Sequence, residues 1–115
     1  MSQRIFQVTD HLQPSEGEPI RSVVNETGDA VVVAWVVKPG QRIKPHVQPG
    51  GQDTWTVISG VGDYQVDASG ATMRLKAGDI AVAPTGAVHG LLNTGSEDFV
   101  FVSVVCPVSA GFEEL

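Results

Sequence analysis

The chain has 115 residues, a net charge of −6 and scattered lysines and arginines. This length predicts one domain over residues 1–115, with room for a single hydrophobic core. The absence of a basic stripe argues against a nucleic-acid surface and against binding to an anionic membrane. The single cysteine, Cys106, excludes an intrachain disulfide and is typical of a reducing compartment. Without a signal peptide or a long apolar run, a cytoplasmic location is expected.

Short β-prone segments separated by glycine and proline turns follow one another along the chain. Residues 7–19 are mostly polar and are expected to be irregular, and the tail 111–115 either packs on the outside or frays. Residues 41–48 alternate only weakly, and Cys106 is expected to be buried at the end of the last strand. We expect strands over 20–24, 30–37, 54–58, 64–66, 71–75, 80–83, 88–92 and 99–105. This regular spacing predicts an all-β sandwich or barrel.

Residues 78–93 spell the pattern G-x5-P-x-G-x2-H-x3-N without a gap. The pattern places His89 in an apolar strand directly after a turn that contains Pro84 and Gly86. A histidine held in this way is a candidate metal ligand or catalytic group. The alternative is a core histidine that is hydrogen-bonded to a neighbour. Asn93 is expected to orient the following loop and to take no part in chemistry.

Residues 40–60 read G-x5-H-x-Q-x4-D-x6-G, with His46, Gln48 and Asp53 at the polar positions. His46 and Gln48 are two residues apart, so on a strand they point to one face. Two imidazoles and one carboxylate brought together suit Fe(II), and also Mn, Ni, Co or Zn. Asp53 is a ligand, a general base or an ordinary turn residue. Gln48 is a ligand, a hydrogen-bond donor to substrate or a side chain that only fills the pocket.

The segments 40–60 and 78–93 together resemble the two motifs of the cupin superfamily, G-x5-H-x-H-x3,4-E-x6-G and G-x5-P-x-G-x2-H-x3-N. The second motif matches fully, whereas the first has a glutamine and an aspartate at two ligand positions. The resemblance implies a double-stranded β-helix, or jelly-roll barrel, with a divalent transition metal held by His46, Gln48, Asp53 and His89. Both changes are expected to weaken metal binding, since Gln48 is neutral and Asp53 is one methylene shorter than glutamate.

Three further residues are assigned to a substrate pocket. Arg42 and Lys44 share the parity of His46, so in a regular strand they point toward the barrel mouth and bind an anionic substrate. The alternative for both is surface exposure at a strand end. Trp55 is expected to line the pocket beside Asp53.

The preferred function is a metal-dependent enzyme in which Asp53 and His89 take part in catalysis on a small molecule. Dioxygenase, isomerase and lyase chemistry are all open to such a site. One alternative is a non-catalytic barrel that binds a small or sugar-like molecule and has a weakened or absent metal site. Another is a structural dimer with a vestigial site. The resemblance also implies a homodimer, because the exposed edges of the sheets need cover.

Overall fold

In the computed structural model, which describes residues 3–115, ten strands form two five-stranded antiparallel sheets. The first two residues of the expected domain lie outside the described part. The strands are β1 Ser22–Glu26, β2 Val31–Val37, β3 Arg42–Val47, β4 Gln52–Ser59, β5 Val61–Gln65, β6 Thr72–Lys76, β7 Ile80–Ala83, β8 His89–Leu92, β9 Phe99–Cys106 and β10 Glu113–Glu114. One sheet has the order β1-β2-β9-β4-β7 and the other β10-β3-β8-β5-β6. The predicted all-β double-stranded β-helix is confirmed.

The segment 7–19, expected to be irregular, contains one short turn of 3-10 helix, Val8–His11. Within residues 3–115, no helix has both the length and the apolar character needed to cross a membrane. At the other end of the chain, β10 pairs with β3. Of the two alternatives for the tail, packing on the outside is therefore correct.

Strand β5 starts earlier than the sequence predicts. A strand was expected over 64–66, yet the strand is Val61–Gln65, which pairs with β6 on one side and β8 on the other. Gly62 lies in this strand because its neighbour is close: a Cβ there would stand 3.0 Å from the Leu91 side chain. The glycine therefore serves close packing between strands rather than a turn.

The core lies between the two sheets and is centred on Trp55, whose ring stacks on Phe101 at 4.1 Å between centroids. Tyr64 from the opposite sheet meets Trp55 edge-on at 5.2 Å. Burying each such large side chain contributes about 1.5–3 kcal/mol. Because Asp53 and Trp55 are two apart on β4 and both are buried, the carboxylate of Asp53 enters this apolar interior.

Cys106 is exposed, so the expectation that it is buried is wrong. Side chains on β9 alternate between faces, and Ser103 is on the inner face. Cys106 is three residues further along, at the last position of the strand, and therefore points outward. The position of Cys106 in the alternation of β9, rather than its hydrophobicity, therefore makes its side chain exposed.

Asn93 holds the loop after β8, as predicted. Its Nδ2 group donates to the carbonyl oxygens of Val37 and Glu97, both at 2.8 Å, and its Oδ1 accepts from the Gly95 N–H at 2.9 Å. Asn93→Ala would leave these three backbone groups without partners, so we expect the free energy of unfolding to fall by about 2–3 kcal/mol. Urea denaturation measures the change.

The matched control for this prediction is Asn25→Ala. Asn25 lies on β1 and its side chain makes no hydrogen bond within the described residues. Its replacement should change stability by less than about 0.5 kcal/mol. Equal losses for the two variants would contradict the assigned role of Asn93.

Candidate metal centre

A bulge in β3 brings two histidines side by side. Ile43 lies opposite Leu91 and His46 opposite His89, so three steps on β3 match two on β8. The close approach needs a glycine between the β8 partners, since a Cβ on Gly90 would stand 2.8 Å from the Ile43 carbonyl oxygen. The ring centroids of the two histidines are consequently 4.2 Å apart.

Both imidazole rings are oriented through their Nδ1 atoms. His46 Nδ1 lies 2.8 Å from the Lys44 carbonyl oxygen, and His89 Nδ1 lies 3.0 Å from that of Ala87. A carbonyl oxygen only accepts, so each Nδ1 carries a hydrogen and donates it. In the neutral rings the lone pair is then on Nε2, as in histidines that bind metals.

The carboxylate of Asp53 contacts His89 of the cluster and Trp55 of the core. Its Oδ2 accepts a hydrogen bond from Trp55 Nε1 at 3.0 Å and lies 2.9 Å from His89 Nε2. Gln48 Nε2 is 3.5 Å from the same oxygen. Without a metal, the short contact with His89 needs one proton between the two groups, because two lone pairs would repel each other. Asp53 therefore reaches His89 although its side chain is one methylene shorter than that of glutamate.

Two buried oxygens of the site, Gln48 Oε1 and Asp53 Oδ1, receive no hydrogen bond from the described residues. The Gln48 amide has only one sensible orientation, since its oxygen would repel the carboxylate of Asp53 if the group were flipped. A buried acceptor without a partner costs about 1–3 kcal/mol, so both oxygens require a cation or a donor. These two oxygens are therefore suited to contact a cation or a hydrogen-bond donor.

The donor set fits a divalent metal of the first transition row. Ligand atoms of His46, Asp53 and His89 all lie within 4.8 Å of one another, and all three residues are buried. Two imidazole nitrogens and one carboxylate suit such ions, and the Gln48 oxygen adds a weaker neutral donor. The four predicted ligand positions are therefore brought together, and the described cluster could hold a metal.

Burial sets the protonation of the groups around this cluster. It lowers the pKa of His46, more than the hydrogen bond to the Lys44 carbonyl raises it, so His46 is neutral at pH 7. Burial, helped by the negative charge of Asp53, raises the pKa of Tyr64 well above its usual value. Tyr64 is therefore an uncharged phenol beside His89 at neutral pH.

A cavity of about 500 Å³ opens on the cluster from one end of the barrel. His46, Gln48, Asp53 and Trp55 line it, whereas the more deeply buried His89 does not. Val31, Val33 and Trp35 of β2 contribute to its apolar wall. Trp55 lies beside Asp53 in the cavity wall, and its role in binding a substrate stays a prediction.

Arg42 and Lys44 also line the cavity, but for a different reason from the one predicted. The bulge breaks the alternation of β3, so neither residue shares the face of His46; both are exposed. Lys44 Nζ lies 2.7 Å from Glu18 Oε1, which comes from the segment before β1. The two cations consequently lie where the cavity meets solvent.

Phe112 is a site residue that the sequence does not reveal. Its ring packs on His46 with centroids 4.8 Å apart and planes 30° apart, although the residue is 60% exposed. The pairing of β10 with β3 brings it there. Pattern reasoning offers no signal for this contact beyond a lone aromatic residue in the tail.

If a metal is bound to the cluster, removing this ring should make it easier to lose. Phe112→Ala is expected to speed transfer of bound Zn²⁺ to a chelator by roughly tenfold, because groups that support a metal ligand contribute about 10–100-fold to affinity. Stopped-flow measurement with a chromogenic chelator gives the rate. Leu115→Ala, at a similarly exposed position in the same tail, is the control and should leave the rate unchanged. Identical rates in the two variants would contradict the prediction.

Two sheets packed as a double-stranded β-helix, with two histidines and an aspartate converging inside, define a small barrel protein with an internal site. Residues 33–105 match a family model described as a cupin domain. The chain therefore belongs to the cupin family, and the resemblance stated from the two motifs is confirmed. No significant sequence match to a curated protein was found.

Solved structures agree with this assignment. A conserved protein from Klebsiella pneumoniae with a double-stranded β-helix domain is 57% identical, with a TM-score of 0.95, and the match covers 98% of this chain and 97% of that one. An RmlC-like cupin from Desulfovibrio desulfuricans is 19% identical, with a TM-score of 0.81 and coverage of 93% and 99%. KdgF from Halomonas sp. is 24% identical, with a TM-score of 0.77 and coverage of 92% and 94%. The last two likenesses concern the fold alone.

Proposed function

We propose that this cupin binds a divalent transition metal through His46, Asp53 and His89 and acts as an enzyme on a small molecule. The observation that carries the proposal is the pair of unsatisfied buried oxygens at the point where these three side chains converge. The cavity of about 500 Å³ in front of them has the volume of a small-molecule site. A metal bound there would supply Lewis-acid activation of a substrate oxygen, which serves dioxygenase, isomerase and lyase chemistry.

In this proposal each side chain of the cluster has a separate role in metal binding or proton transfer. His46 and His89 offer Nε2 to the metal, while their Nδ1–H groups fix the ring planes. The Trp55 indole N–H holds one oxygen of Asp53, which leaves the other oxygen free to bind the metal or accept a proton. Gln48 keeps the carboxylate oriented and turns its own oxygen to the site as a weak ligand or a substrate contact.

The first experiment is elemental mass spectrometry of the purified, untagged protein beside a His89→Ala control. Near-stoichiometric Fe, Mn, Ni, Co or Zn that disappears in the control supports the metal site. Catalysis is tested next by incubating metal-loaded protein with a metabolite extract of the source organism and following depletion by mass spectrometry. Turnover that requires both the metal and Asp53, with Asp53→Asn as the inactive comparison, supports an enzyme.

A second candidate is a barrel that binds a small molecule without turnover. The neutral amide of Gln48, at a position where the family motif has an imidazole, favours it because an amide oxygen is a poorer ligand for these metals. Thermal stabilisation of metal-free protein by a metabolite, without consumption of that metabolite, would select this candidate.

The predicted homodimer has a suitable surface on the outer face of the β7 edge. Ile80 and Val82 are 64% and 50% exposed, and Val82 lies in a cross-strand row with Thr54 and Val104 that carries no charge. Two copies with a charge of −6 each repel one another, so an uncharged face is where they meet most easily. We therefore expect a dimer by light scattering, converted to a monomer by Val82→Lys.

The control for the dimer prediction is Met73→Lys. Met73 is 65% exposed on β6, the edge of the other sheet, so it tests a general effect of an added lysine. A monomeric wild-type protein, or equal dissociation by both changes, would contradict the proposed face. The cytoplasmic location and the absence of nucleic-acid binding stay predictions.

A further inference from the structure

Three of the seven lysine and arginine side chains of this acidic protein line the cavity. The protein has seven lysines and arginines against thirteen aspartates and glutamates. Three from each group line the cavity: Arg21, Arg42 and Lys44 against Glu18, Asp53 and Glu114. The lining is therefore neutral while the remainder of the chain carries the whole net charge of −6, and a divalent metal bound to the cluster would make the cavity positive.

Two of these three basic side chains form no salt bridge with a carboxylate of the described residues. Lys44 is neutralised by Glu18 at 2.7 Å, but Arg21 and Arg42 form no ion pair within the described residues. They come from different parts of the chain, since Arg21 directly precedes β1 and Arg42 begins β3. A guanidinium offers a planar fork of N–H donors that matches the oxygens of a carboxylate or phosphate.

The other lining residues of the cavity restrict which chemical groups such an anionic ligand contains. Val31, Val33 and Trp35 of β2 form an uncharged wall, and His46 and Asp53 also belong to the lining. A ligand that satisfies all these surfaces has an oxyanion, a short uncharged body and an oxygen-bearing group for the metal cluster. A fully hydrophobic ligand would leave the guanidiniums without partners, and a polyanion would meet Glu18 and Glu114.

We infer that the substrate is a small organic oxyanion, a carboxylate or phosphate ester, whose charged group is bound by Arg21 and Arg42 at the cavity mouth. The inference rests on the proposed small-molecule function and names its substrate class. Selectivity follows from the charge: an uncharged amide analogue of the same shape cannot pair with the two guanidiniums, so it binds more weakly than the anion.

The test uses the two tryptophans, because both line the cavity and the chain has no others. Their indole N–H signals in ¹⁵N NMR spectra are followed while pentanoate, pentanamide or propyl phosphate is added to metal-free protein and to Zn²⁺-loaded protein. We expect saturable shifts with an anion, and at the same concentrations much smaller shifts with the amide. Whether pentanoate or propyl phosphate binds more tightly distinguishes the two kinds of oxyanion.

Variants connect binding to the arginines. Arg21→Gln and Arg42→Gln should each weaken anion binding by about tenfold, the value of a charge-assisted hydrogen bond at its lower end. The matched control is Arg74→Gln, because Arg74 pairs with Asp63 outside this cavity and its loss should leave anion affinity unchanged. Well-dispersed spectra of all three variants establish that they are folded.

Two results would overturn the inference: equal affinity for pentanamide and pentanoate, or no saturable shift with either anion in both protein forms. Loss of affinity in Arg74→Gln equal to that in Arg42→Gln would overturn the assigned role of the mouth arginines. Anion binding by metal-free protein that takes up no Zn²⁺ would support the anion site and reject the metal-dependent function. The two proposals therefore fail separately.

Discussion

Replacing His89 by alanine is expected to lower the affinity for Zn²⁺ or Mn²⁺ by more than about 100-fold, because even outer groups that orient metal ligands contribute about 10–100-fold. The side chain is 1% exposed, and its Nε2 lies 2.9 Å from Asp53 Oδ2. Its loss removes a nitrogen donor and leaves the Asp53 carboxylate buried without that partner. We therefore also expect the metal-free protein to lose roughly 3 kcal/mol of stability.

The measurements are isothermal titration with the metal and urea denaturation without it. The third histidine of the chain supplies the control: His11 lies in the 3-10 turn and packs edge-on against Phe6, away from the cluster. His11→Ala should bind metal as the wild type does. Retained metal in the His89→Ala variant, or comparable losses in both, would show that the histidine cluster is not the metal site.

The fold and most of the cluster were predictable because the information is local. His46 and Gln48 are two residues apart, and His89 follows a short turn, so strand parity places each side chain without knowledge of the whole barrel. The final position of Asp53 also follows from its parity with Trp55. That these four side chains share one site was implied by the resemblance to the two cupin motifs, since parity along single strands does not bring distant strands together.

The remainder depends on contacts between distant segments. The bulge in β3 is set by its register with β8, and this register moves Arg42 and Lys44 off the face of His46. Arg21 and Phe112 line the cavity because the segment just before β1 and the tail that contains β10 both lie beside it. A periodicity read along one strand contains no information about such partners.

The position of Gln48 leads to a prediction in which metal affinity and metal-free stability change in opposite directions. Gln48 Nε2 lies 3.5 Å from Asp53 Oδ2, and its Oε1 has no donor in the described residues. Gln48→Glu keeps the shape but puts a second carboxylate beside the first. Without metal the like charges repel, so the free energy of unfolding should fall by about 1–3 kcal/mol.

With metal bound, the same added charge becomes favourable. Unit charges about 4 Å apart interact by about 4 kcal/mol at an effective dielectric constant of 20, so a gain in metal affinity of at least about tenfold is a conservative expectation. Titration calorimetry and metal-dependent shifts in Tm measure it. Gln52→Glu, which adds the same charge at an exposed position of β4, is the control and should alter neither quantity appreciably.

Weaker metal binding in Gln48→Glu, or unchanged metal-free stability, would mean that this side chain does not face the metal. The opposite signs matter because a merely structural role for Gln48 predicts a loss in stability without any gain in affinity.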